Sequence, residues 1–374
     1  MEKIPLTRPY FKKSEISSIN KDIKRILTSG RLILGPYTQR FEDEFKKYIG
    51  SNHAIAVNTC TSALMICLKH IDVRKKEVIV PSNTFVTVAN AVIESGGKVV
   101  FTEMDPETLC LDIDDVKKRI TKNTVAVITI HMLGLIDPRI DELVKLCSEK
   151  NIFLIEDCSH SHGASINKRK AGSLAWAACF SFYPTKVMTT ALGGMIVTND
   201  DNLDKYSKSM RLFGSGDDMD QIVNMGNDWL LSEVNAAIGL QQLKKLDINV
   251  KKRNLIADKY KKLLGNISNS KFFKSPRNIV NSYYKFPVLL PDSFDLNSLI
   301  QLFKNKYNIE MSHVYVPCHL HPLYRINFGF KEGMFPITEN ILKRTICLPI
   351  FPQMKVSEIN YVAKCFKEEI IKLN

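Results

Sequence analysis

A lysine closes an apolar segment near the middle of the chain. Residues 179–186 read CFSFYPTK, and a second apolar run, GGMIVT, begins at residue 193. The pattern predicts that Lys186 lies in a turn between two buried strands. Burial disfavours the charged form of an amine, so Lys186 is a candidate nucleophile toward a carbonyl group. From this segment alone, a solvated surface lysine is the simpler interpretation.

Residues 58–63, NTCTSA, lie between a predicted strand and a predicted helix. Free backbone N–H groups, hydroxyls and the positive end of the helix dipole favour an anion at such a place, and a phosphate is suitable. Thr61 and Ser62 are the candidate contacts. The alternative is an ordinary helix cap, which Ser or Thr supplies routinely. Ser181, five residues before Lys186, could add a hydroxyl to the same site.

Two other strand ends carry groups that suit a flat aromatic ligand. Phe85 follows the predicted strand at residues 78–80 and could stack on a ring, although core packing is its alternative role. Asp157 follows the predicted strand at residues 152–155 and could pair with a ring nitrogen, although a loop cap is its alternative role. In parallel sheets ligands bind at the carboxyl ends of the strands, so both side chains are candidates for one site.

His160 and His162 follow Asp157 in the segment EDCSHSHGA, residues 156–164. A histidine pair raises the question of a metal, but the sequence shows no further ligand cluster with suitable spacing, so no metal site is predicted. The four segments together provide an anion site, a stacking ring, a carboxylate for a ring nitrogen and an amine for an aldehyde. Pyridoxal 5'-phosphate (PLP) requires this set of groups.

The composition is that of a large globular protein. The chain has 374 residues, of which 45% are hydrophobic and 24% charged, which suits a large core and two domains. The formal net charge is +13, yet Lys and Arg are spread along the chain rather than clustered on one element, so no nucleic-acid partner is predicted. A basic background also suits an anionic, phosphorylated substrate.

The sequence shows no pattern typical of export or of membrane insertion. It has no run of about 18 apolar residues, and its first residues, MEKIPLTRPYFKK, lack the apolar core of a signal peptide. Nine cysteines are scattered without a CxxC pair, which is typical of reduced thiols. We therefore expect a cytoplasmic protein that does not bind membranes.

Strand-like and helix-like segments alternate from residue 54 to residue 155, after a helix that Thr38 is expected to cap. This order predicts a three-layer α/β/α fold with a mainly parallel sheet. Residues 284–290, 297–304 and 314–316 then predict a strand, a helix and a strand in a smaller α+β unit. We predict an N-terminal arm plus a large PLP-binding domain over 1–250, and a linker helix plus a small C-terminal domain over 251–374.

These motifs resemble those of the DegT/DnrJ/EryC1/StrS sugar aminotransferase family, within the fold-type I PLP enzymes that resemble aspartate aminotransferase. The matching stretches span nearly the whole chain in the family's order: VNTCTSAL, EVIVPSNTFVTVANAV, EDCSHSHGA, FSFYPTK, GGMIVTND, SEVNAAIGLQQL and LPIFP. The resemblance implies fold type I, PLP as cofactor, and homodimers in which a loop of the partner completes each active site.

Carried across by position, the resemblance makes Lys186 the residue that bonds to PLP and moves protons. It makes Asp157 the partner of the pyridinium nitrogen. His160 stands where many members have Gln beside the phenolic oxygen of the cofactor. The other implied cofactor contacts are Thr61, Ser62 and Ser181 at the phosphate and Phe85 on the ring.

Several positions depart from the family pattern. Cys60 replaces a usual Gly in the phosphate loop, and residues 191–192, Ala-Leu, replace a common Gly-Glu. Asp228 stands where Asn often reaches across the dimer to the phosphate, and Leu230 stands where Arg is frequent. An Asp facing a phosphate would be repelled, so Asn227 is the expected substitute.

The implied reaction moves an amino group from an amino acid, with L-glutamate as the expected donor, to a keto group of a nucleotide-linked deoxysugar for polysaccharide or glycan precursors. His319 and His321 are predicted substrate contacts. One alternative is an aminotransferase for a small phosphorylated ketone or a cyclitol, and another is a degenerate PLP-binding regulatory protein. Sugar 3-dehydratases resemble this family but carry His at the lysine position, so Lys186 argues against that activity.

Overall fold

The computed structural model describes residues 2–265, 267, 270–292 and 294–373. Its strands are β1 His53–Val57, β2 Glu77–Pro81, β3 Lys98–Thr102, β4 Thr124–Ile130, β5 Phe153–Asp157, β6 Ser165–Ile166, β7 Arg169–Lys170, β8 Ala177–Ser181, β9 Gly194–Thr198, β10 Ile279–Val280, β11 Phe286–Leu289, β12 Ser312–His313 and β13 Thr345–Leu348. Its α-helices are α1 Lys13–Ser29, α2 Pro36–Ile49, α3 Cys60–His70, α4 Val86–Glu94, α5 Ile113–Arg119, α6 Ile140–Glu149, α7 Asp201–Met210, α8 Glu233–Leu243, α9 Leu246–Leu264, α10 Leu296–Leu302, α11 Pro322–Phe328, α12 Pro336–Arg344 and α13 Val356–Leu373.

A seven-stranded sheet in the order β1-β9-β8-β5-β4-β2-β3 forms the centre of the molecule. Neighbouring strands from β3 to β8 are parallel, whereas β9 runs antiparallel to both β8 and β1. The strands are apolar and buried, as expected when helices cover both faces of a sheet. The predicted three-layer α/β fold is therefore confirmed.

The topology places six strand ends at one edge of this sheet. Strands β1, β2, β3, β4, β5 and β8 all end there, and β9 begins there because it runs the other way. The register shows this directly, since Gly194 at the start of β9 pairs with Val57 at the end of β1 and with Ser181 at the end of β8. The loops that follow these strands are the segments that carry the predicted chemistry.

A smaller sheet, β11-β13-β12, belongs to a second apolar cluster with α10 and α13. Helix α9 joins the two clusters, because Leu246 and Val250 pack in the first and Ile256 and Tyr260 in the second. The helix therefore crosses the domain boundary predicted at residues 250/251. Some late segments, β10 among them, also pack against the large cluster, so that boundary stays a prediction.

Two local predictions are wrong. Helix α2 begins at Pro36, and Thr38 lies inside its first turn rather than at its cap. The carboxylate of Glu233 on α8 accepts the backbone N–H groups of Gly35, Tyr37 and Thr38 at 3.0, 2.8 and 2.8 Å, so a distant side chain caps the helix.

The predicted strand at residues 314–316 is instead irregular. The structure places strand β12 two residues earlier, at Ser312–His313, where it pairs with Cys347 and Ile346 of β13. Among the residues that the structure describes, no helix has both the length and the apolar character needed to cross a membrane.

Candidate active site

A cleft of about 420 Å³ opens at the edge of the sheet where the parallel strands end. Its lining comes from the loops after β1, β2, β5 and β8 and from two later segments around residues 284 and 315. Six of the residues predicted from the sequence line this cleft: Thr61, Phe85, Asp157, His160, Ser181 and Lys186.

Lys186 lies in the turn that connects β8 to β9. Its backbone N–H donates to the carbonyl of Tyr183 at 3.0 Å, and its amine lies 4.8 Å from the centre of the Tyr284 ring. Burial lowers the pKa of the Lys186 amine below its ordinary value, and the nearby Asp157 carboxylate opposes that shift. A lysine with a lowered pKa offers more of its neutral, nucleophilic form at neutral pH.

Asp157 ends β5 and is buried, with 5% of its surface exposed. Its Oδ1 accepts the backbone N–H of Ser159 at 2.9 Å, and its other oxygen, Oδ2, has no hydrogen-bond partner among the described residues. A carboxylate in the wall of a cleft with one oxygen available can accept a hydrogen bond from a cationic or N–H group of a ligand. Asp157 and Lys186 both line this cleft.

The neighbouring carboxylate, Glu156, points to the opposite face of the sheet, because successive strand residues alternate. Its oxygens accept the backbone N–H groups of Gly172, Leu174 and Ala175 at 2.8, 2.8 and 3.0 Å. His131 Nε2 lies 2.8 Å from Glu156 Oε2. Glu156 thus stabilises the loop before β8, and of the two adjacent acids only Asp157 faces the cleft.

The N-terminus of α3 points into the cleft from the end of β1. Thr59 caps the helix, since its Oγ1 accepts the backbone N–H of Ser62 at 3.0 Å. In the described part of the chain, the N–H groups of Cys60 and Thr61 have no hydrogen-bond partner, as is usual in a first helical turn. Such groups and the helix dipole form an anion site.

Ser62, in contrast, does not line the cleft. Its hydroxyl donates to Oδ1 of Asn58 at 2.5 Å and lies 2.7 Å from the hydroxyl of Thr59. The structure therefore brings Thr61 to the predicted anion site but uses the Ser62 side chain to support the cap.

Close backbone packing holds this helix terminus against the start of β9. A Cβ atom added to Gly194 would lie 2.4 Å from the carbonyl carbon and oxygen of Thr59 and 2.7 Å from the backbone nitrogen of Cys60. Real Cβ atoms essentially never approach backbone atoms that closely, so only glycine fits here. Gly194 therefore allows the α3 terminus to approach the strand that follows the Lys186 turn.

Phe85 and Ser181 stand at the ends of β2 and β8, as predicted. Phe85 has 52% of its surface exposed and its ring centre lies 5.6 Å from that of Tyr315, so core packing does not describe its environment. Ser181 is the half-buried last residue of β8. Both side chains remain accessible to a ligand in the cleft.

His160 is buried in the cleft wall and is held on several sides. Its Nδ1 lies 3.3 Å from the backbone nitrogen of Leu133 and its Nε2 lies 2.8 Å from the hydroxyl of Tyr315. Its ring stacks on Tyr284 with the centres 4.4 Å apart. Burial, together with the nearby positive charge of Lys186, holds the pKa of His160 well below its ordinary value, so the ring is neutral.

Tyr284 and Tyr315 both line the cleft, and neither is among the site residues predicted from the sequence. Both lie far along the chain from the β1–β9 region, in segments that were assigned to the second domain. The available signal was an aromatic residue beside a predicted strand, and that signal is weak because aromatic residues are usual in cores.

Four other predicted site residues lie outside the cleft lining. Asn227 and Asp228 belong to the loop before α8, where Asn227 Oδ1 accepts the backbone N–H of Asp228 at 2.8 Å. The carbonyl of Asp228 accepts the side-chain N–H of Asn58 at 3.3 Å. This loop therefore packs beside the α3 terminus of its own chain, and any contact with a second chain stays a prediction.

His319 and His321 are not brought to the cleft. His319 has no exposed surface, and its two ring nitrogens lie 2.6 Å from the hydroxyl of Ser82 and 2.9 Å from Oε1 of Glu339. His321 precedes α11 and is its N-cap residue. These positions do not agree with the predicted substrate contacts, because residues 318–321 pack behind the loop that follows β2.

His131, Glu156 and Cys158 form a buried group whose potential ligand atoms all lie within 4.8 Å of one another. The three residues are not adjacent in a recognisable metal-binding motif of the sequence. The oxygens of Glu156 already accept three backbone N–H groups, which favours a structural role for the group.

Comparison with known proteins agrees with the geometry. The chain matches the profile of the DegT/DnrJ/EryC1/StrS aminotransferase family over residues 13–367. The spore coat polysaccharide biosynthesis protein SpsC of Bacillus subtilis is 32% identical over 380 residues, which cover 98% of this chain and 96% of SpsC. GDP-perosamine synthase of Vibrio cholerae is 29% identical over 374 residues, with coverages of 97% and 98%.

A solved structure leads to the same conclusion. Helicobacter pylori PseC, an aminotransferase involved in the biosynthesis of pseudoaminic acid, is 26% identical, with a TM-score of 0.90 and coverage of 100% of this chain and 99% of PseC. The resemblance seen in the sequence motifs is confirmed: this chain belongs to the DegT/DnrJ/EryC1/StrS aminotransferase family.

Proposed function

We propose that this protein is a PLP-dependent aminotransferase that moves an amino group from an amino acid, with L-glutamate as the donor, to the keto group of a nucleotide-linked deoxysugar. The product would enter polysaccharide or glycan precursor biosynthesis. The observation that carries the proposal is the meeting of Lys186, Asp157 and the free α3 terminus in one cleft. Family membership supports the reaction class.

The residues of the cleft fit PLP. The N–H groups of Cys60 and Thr61 and the hydroxyls of Thr61 and Ser181 would hold the phosphate. Phe85 would cover one face of the ring, Asp157 would pair with the ring nitrogen through its available oxygen, and His160 lies in the wall beside the ring. When bound, PLP supplies an aldehyde that bonds to amines and a ring that takes up the electron pair released from a Cα–H bond.

The chain's own residues would perform the proton transfers. The amine of Lys186 would take the proton from the Cα of the amino donor. In the second half of the reaction it would return a proton to the acceptor carbon that receives the nitrogen. The Asp157 carboxylate would accept a hydrogen bond from the ring nitrogen and so favour its protonated form. A positioned general acid–base group contributes about 10²–10⁴-fold to rate in typical enzymes.

Three observations support a nucleotide-linked acceptor. GDP-perosamine synthase is named for a GDP-linked sugar, and SpsC and PseC are named for roles in polysaccharide and pseudoaminic acid biosynthesis. The formal net charge of +13 suits an anionic substrate.

A small phosphorylated ketone or a cyclitol is the second candidate acceptor. Leu192, where a Glu is common in the family, lines the cleft with 49% of its surface exposed. An apolar side chain there changes which acceptors fit near the opening. The two candidates differ only in the acceptor, so a panel of keto compounds separates them.

We also propose a homodimer in which Asn227 or Asp228 of one chain contacts the cofactor phosphate held by the other. The proposed partners are otherwise the small-molecule donor and acceptor, without nucleic acid or membrane. Cytoplasmic location remains a prediction.

The testing experiment is a spectral titration. The PLP-loaded protein is mixed with L-glutamate, and the cofactor band is expected to bleach as the amino group is transferred. Keto-deoxy nucleotide sugars, phosphorylated ketones and keto-cyclitols are then added separately, and the compound that restores the band identifies the acceptor class. A bound cofactor that never bleaches with any amino donor would contradict the aminotransferase proposal and support the non-enzymatic alternative.

A further inference from the structure

The hydrogen bonds around His160 determine where its single proton lies. The backbone N–H of Leu133 points at Nδ1 at 3.3 Å, and an N–H donor requires a lone pair there. A proton on Nδ1 would oppose that N–H, so the neutral ring must carry its proton on Nε2.

The Nε2 proton in turn orients Tyr315. Nε2 lies 2.8 Å from the Tyr315 hydroxyl, so His160 donates and the tyrosine oxygen accepts. Burial raises the pKa of Tyr315 well above its ordinary value, so the hydroxyl stays protonated. Because its oxygen already accepts from His160, its own O–H is left to donate elsewhere, and Tyr315 lines the cleft.

The surroundings keep this pair in place. The His160 ring stacks on Tyr284, with ring centres 4.4 Å apart and planes 21° apart. The carbonyl of His160 accepts the hydroxyl of Ser282 at 2.7 Å. The Tyr284 hydroxyl lies 3.0 Å from the Thr185 hydroxyl, and either oxygen can donate in that hydrogen bond.

We propose that Tyr315 is a ligand-binding residue whose hydroxyl donates to an oxygen of the molecule in the cleft, and that His160 is a positioning residue that directs this hydroxyl. The proposal rests on the proposed function and deepens it. It replaces direct contact of His160 with a cofactor oxygen by a contact made through Tyr315. The accepting oxygen belongs either to PLP or to the keto acceptor, and the experiment distinguishes these sources.

The first measurement concerns the proton alone. Nitrogen NMR of histidine-labelled protein, without and with PLP, reports which ring nitrogen of His160 is protonated, and the signal is assigned by its loss in His160→Gln. We expect the proton on Nε2. We also expect Tyr315→Phe to shift that signal, whereas Tyr284→Phe, which keeps the stacked ring, leaves it within the spread of repeat spectra. A proton on Nδ1 would overturn the proposal whether or not the protein is an enzyme.

The second measurement compares PLP affinity and the KM for the keto acceptor in the loaded enzyme. Losing a hydrogen bond to a bound ligand weakens binding by about tenfold, so Tyr315→Phe is expected to raise one of the two constants by that factor. A change in PLP affinity assigns the accepting oxygen to the cofactor. A change in KM alone assigns it to the acceptor.

The third measurement tests whether His160 acts through Tyr315. His160→Leu should weaken binding by the same factor as Tyr315→Phe. His160→Gln should bind nearly as well as the wild type, because the glutamine amide can donate to Tyr315. The double variant His160→Leu/Tyr315→Phe should bind no more weakly than Tyr315→Phe alone. The proposal is overturned if Tyr315→Phe stays within twofold of the wild type in both PLP affinity and KM. It is also overturned if the loss in the double variant equals the product of the losses in His160→Leu and Tyr315→Phe. An unresponsive wild-type protein would instead count against the proposed function, and the NMR result would still decide the orientation.

Discussion

At the scale of single residues, burial lowers the pKa of the Lys186 amine, which suits a group that must both accept and donate a proton. Replacing it by Ala should abolish turnover, with a loss of about 10²–10⁴-fold or more in kcat, because the proton transfers lose their base. The KM for the amino donor should change far less. Steady-state kinetics on purified Lys186→Ala checks this expectation.

Lys145→Ala is the matched control for that variant. The Lys145 side chain is 77% exposed and pairs with Glu149 over 3.8 Å on the surface of α6, so its loss should leave kcat unchanged. Near-normal turnover by Lys186→Ala would contradict the assignment.

The charge of Asp157 also makes a prediction about pH. The Asp157 carboxylate opposes the lowering of the Lys186 pKa that burial causes. Asp157→Asn removes that charge, so the pKa of Lys186 should fall further in the cofactor-free protein. Competitive acetylation of Lys186 as a function of pH measures it, and its midpoint should move to lower pH. Asp258→Asn, an exposed change on α9, serves as control.

The same shift has a defined sign in stability. Between the lowered pKa of folded Lys186 and its ordinary value of 10.5, the unfolded chain binds more protons than the folded one. The free energy of unfolding therefore rises with pH across that window, and this rise should extend to lower pH in Asp157→Asn. An acetylation midpoint that stayed the same or moved upward in Asp157→Asn would contradict the action of Asp157 on Lys186.

Individual site residues could be predicted from the sequence where chemistry and strand position coincide. Lys186, Asp157, Thr61 and Phe85 each follow a strand whose apolar run is visible, and parallel strands end at a common edge. Tyr315 could not be found in this way, because its approach to His160 depends on how the two parts of the chain pack. His319 was predicted to contact substrate because its segment is rich in histidine. Both of its ring nitrogens instead form hydrogen bonds within the protein.

At the scale of elements, the site depends on close backbone packing between the N-terminus of α3 and the start of β9. Gly194→Ala should force the two apart, since the added Cβ would lie 2.4 Å from Thr59 backbone atoms. Overpacking of this kind costs about 1–3 kcal/mol. We expect lower stability in urea unfolding together with weaker PLP binding, because the N–H groups of Cys60 and Thr61 move.

Gly50→Ala separates these two effects. Gly50 ends α2 with φ of 84° and would present a Cβ to open space, so the change destabilises the backbone by about 1 kcal/mol without touching the cleft. It should lower stability and leave PLP affinity unchanged. Equal losses of PLP affinity in both variants would mean that general instability, and not the position of α3, causes the effect.

Elements with strong periodicity were predicted well, and their ends were predicted less well. The β-branched run of β4, TVAVITI, and the sequence alternation around it identify strands directly. The start of α2 depends on Glu233, almost two hundred residues away, and no local pattern contains that information. The segment at residues 314–316 has the composition of a strand, but the pairing with β13 stops at His313.

At the scale of the whole molecule, the alternation of segments predicts a layered parallel fold without giving the order of strands. The reversed direction of β9 follows from a short turn rather than a helical crossover between β8 and β9, and the length of that connection was visible in the sequence. The two apolar clusters share α9, and the buried Arg253 on that helix donates to the carbonyls of Tyr283 and Ile350 at 2.9 and 3.0 Å. Such long-range contacts are set by packing and could not be predicted from local patterns.

The proposed dimer makes a prediction about subunit complementation. Lys186→Ala and Asn227→Ala chains are each expected to have low activity as homodimers. If Asn227 serves the site of its partner, a mixed dimer contains one intact site, built from Lys186 of one chain and Asn227 of the other. About half of the dimers in a random mixture are mixed, and each mixed dimer has one working site of its two. Activity should therefore recover to about a quarter of the wild-type value.

The alternative outcome follows from the contacts within the chain. Asp228 and Trp229 already bond to Asn58 beside the α3 terminus of the same chain, through their carbonyl oxygens at 3.3 and 2.8 Å. If Asn227 acts only within its own chain, each site of a mixed dimer lacks one group and mixing restores nothing. The measurement is activity after the two chains are denatured together and refolded, with sedimentation confirming dimers. Asp228→Ala in place of Asn227→Ala tells which of the two adjacent residues reaches the partner, since only the reaching residue is complemented.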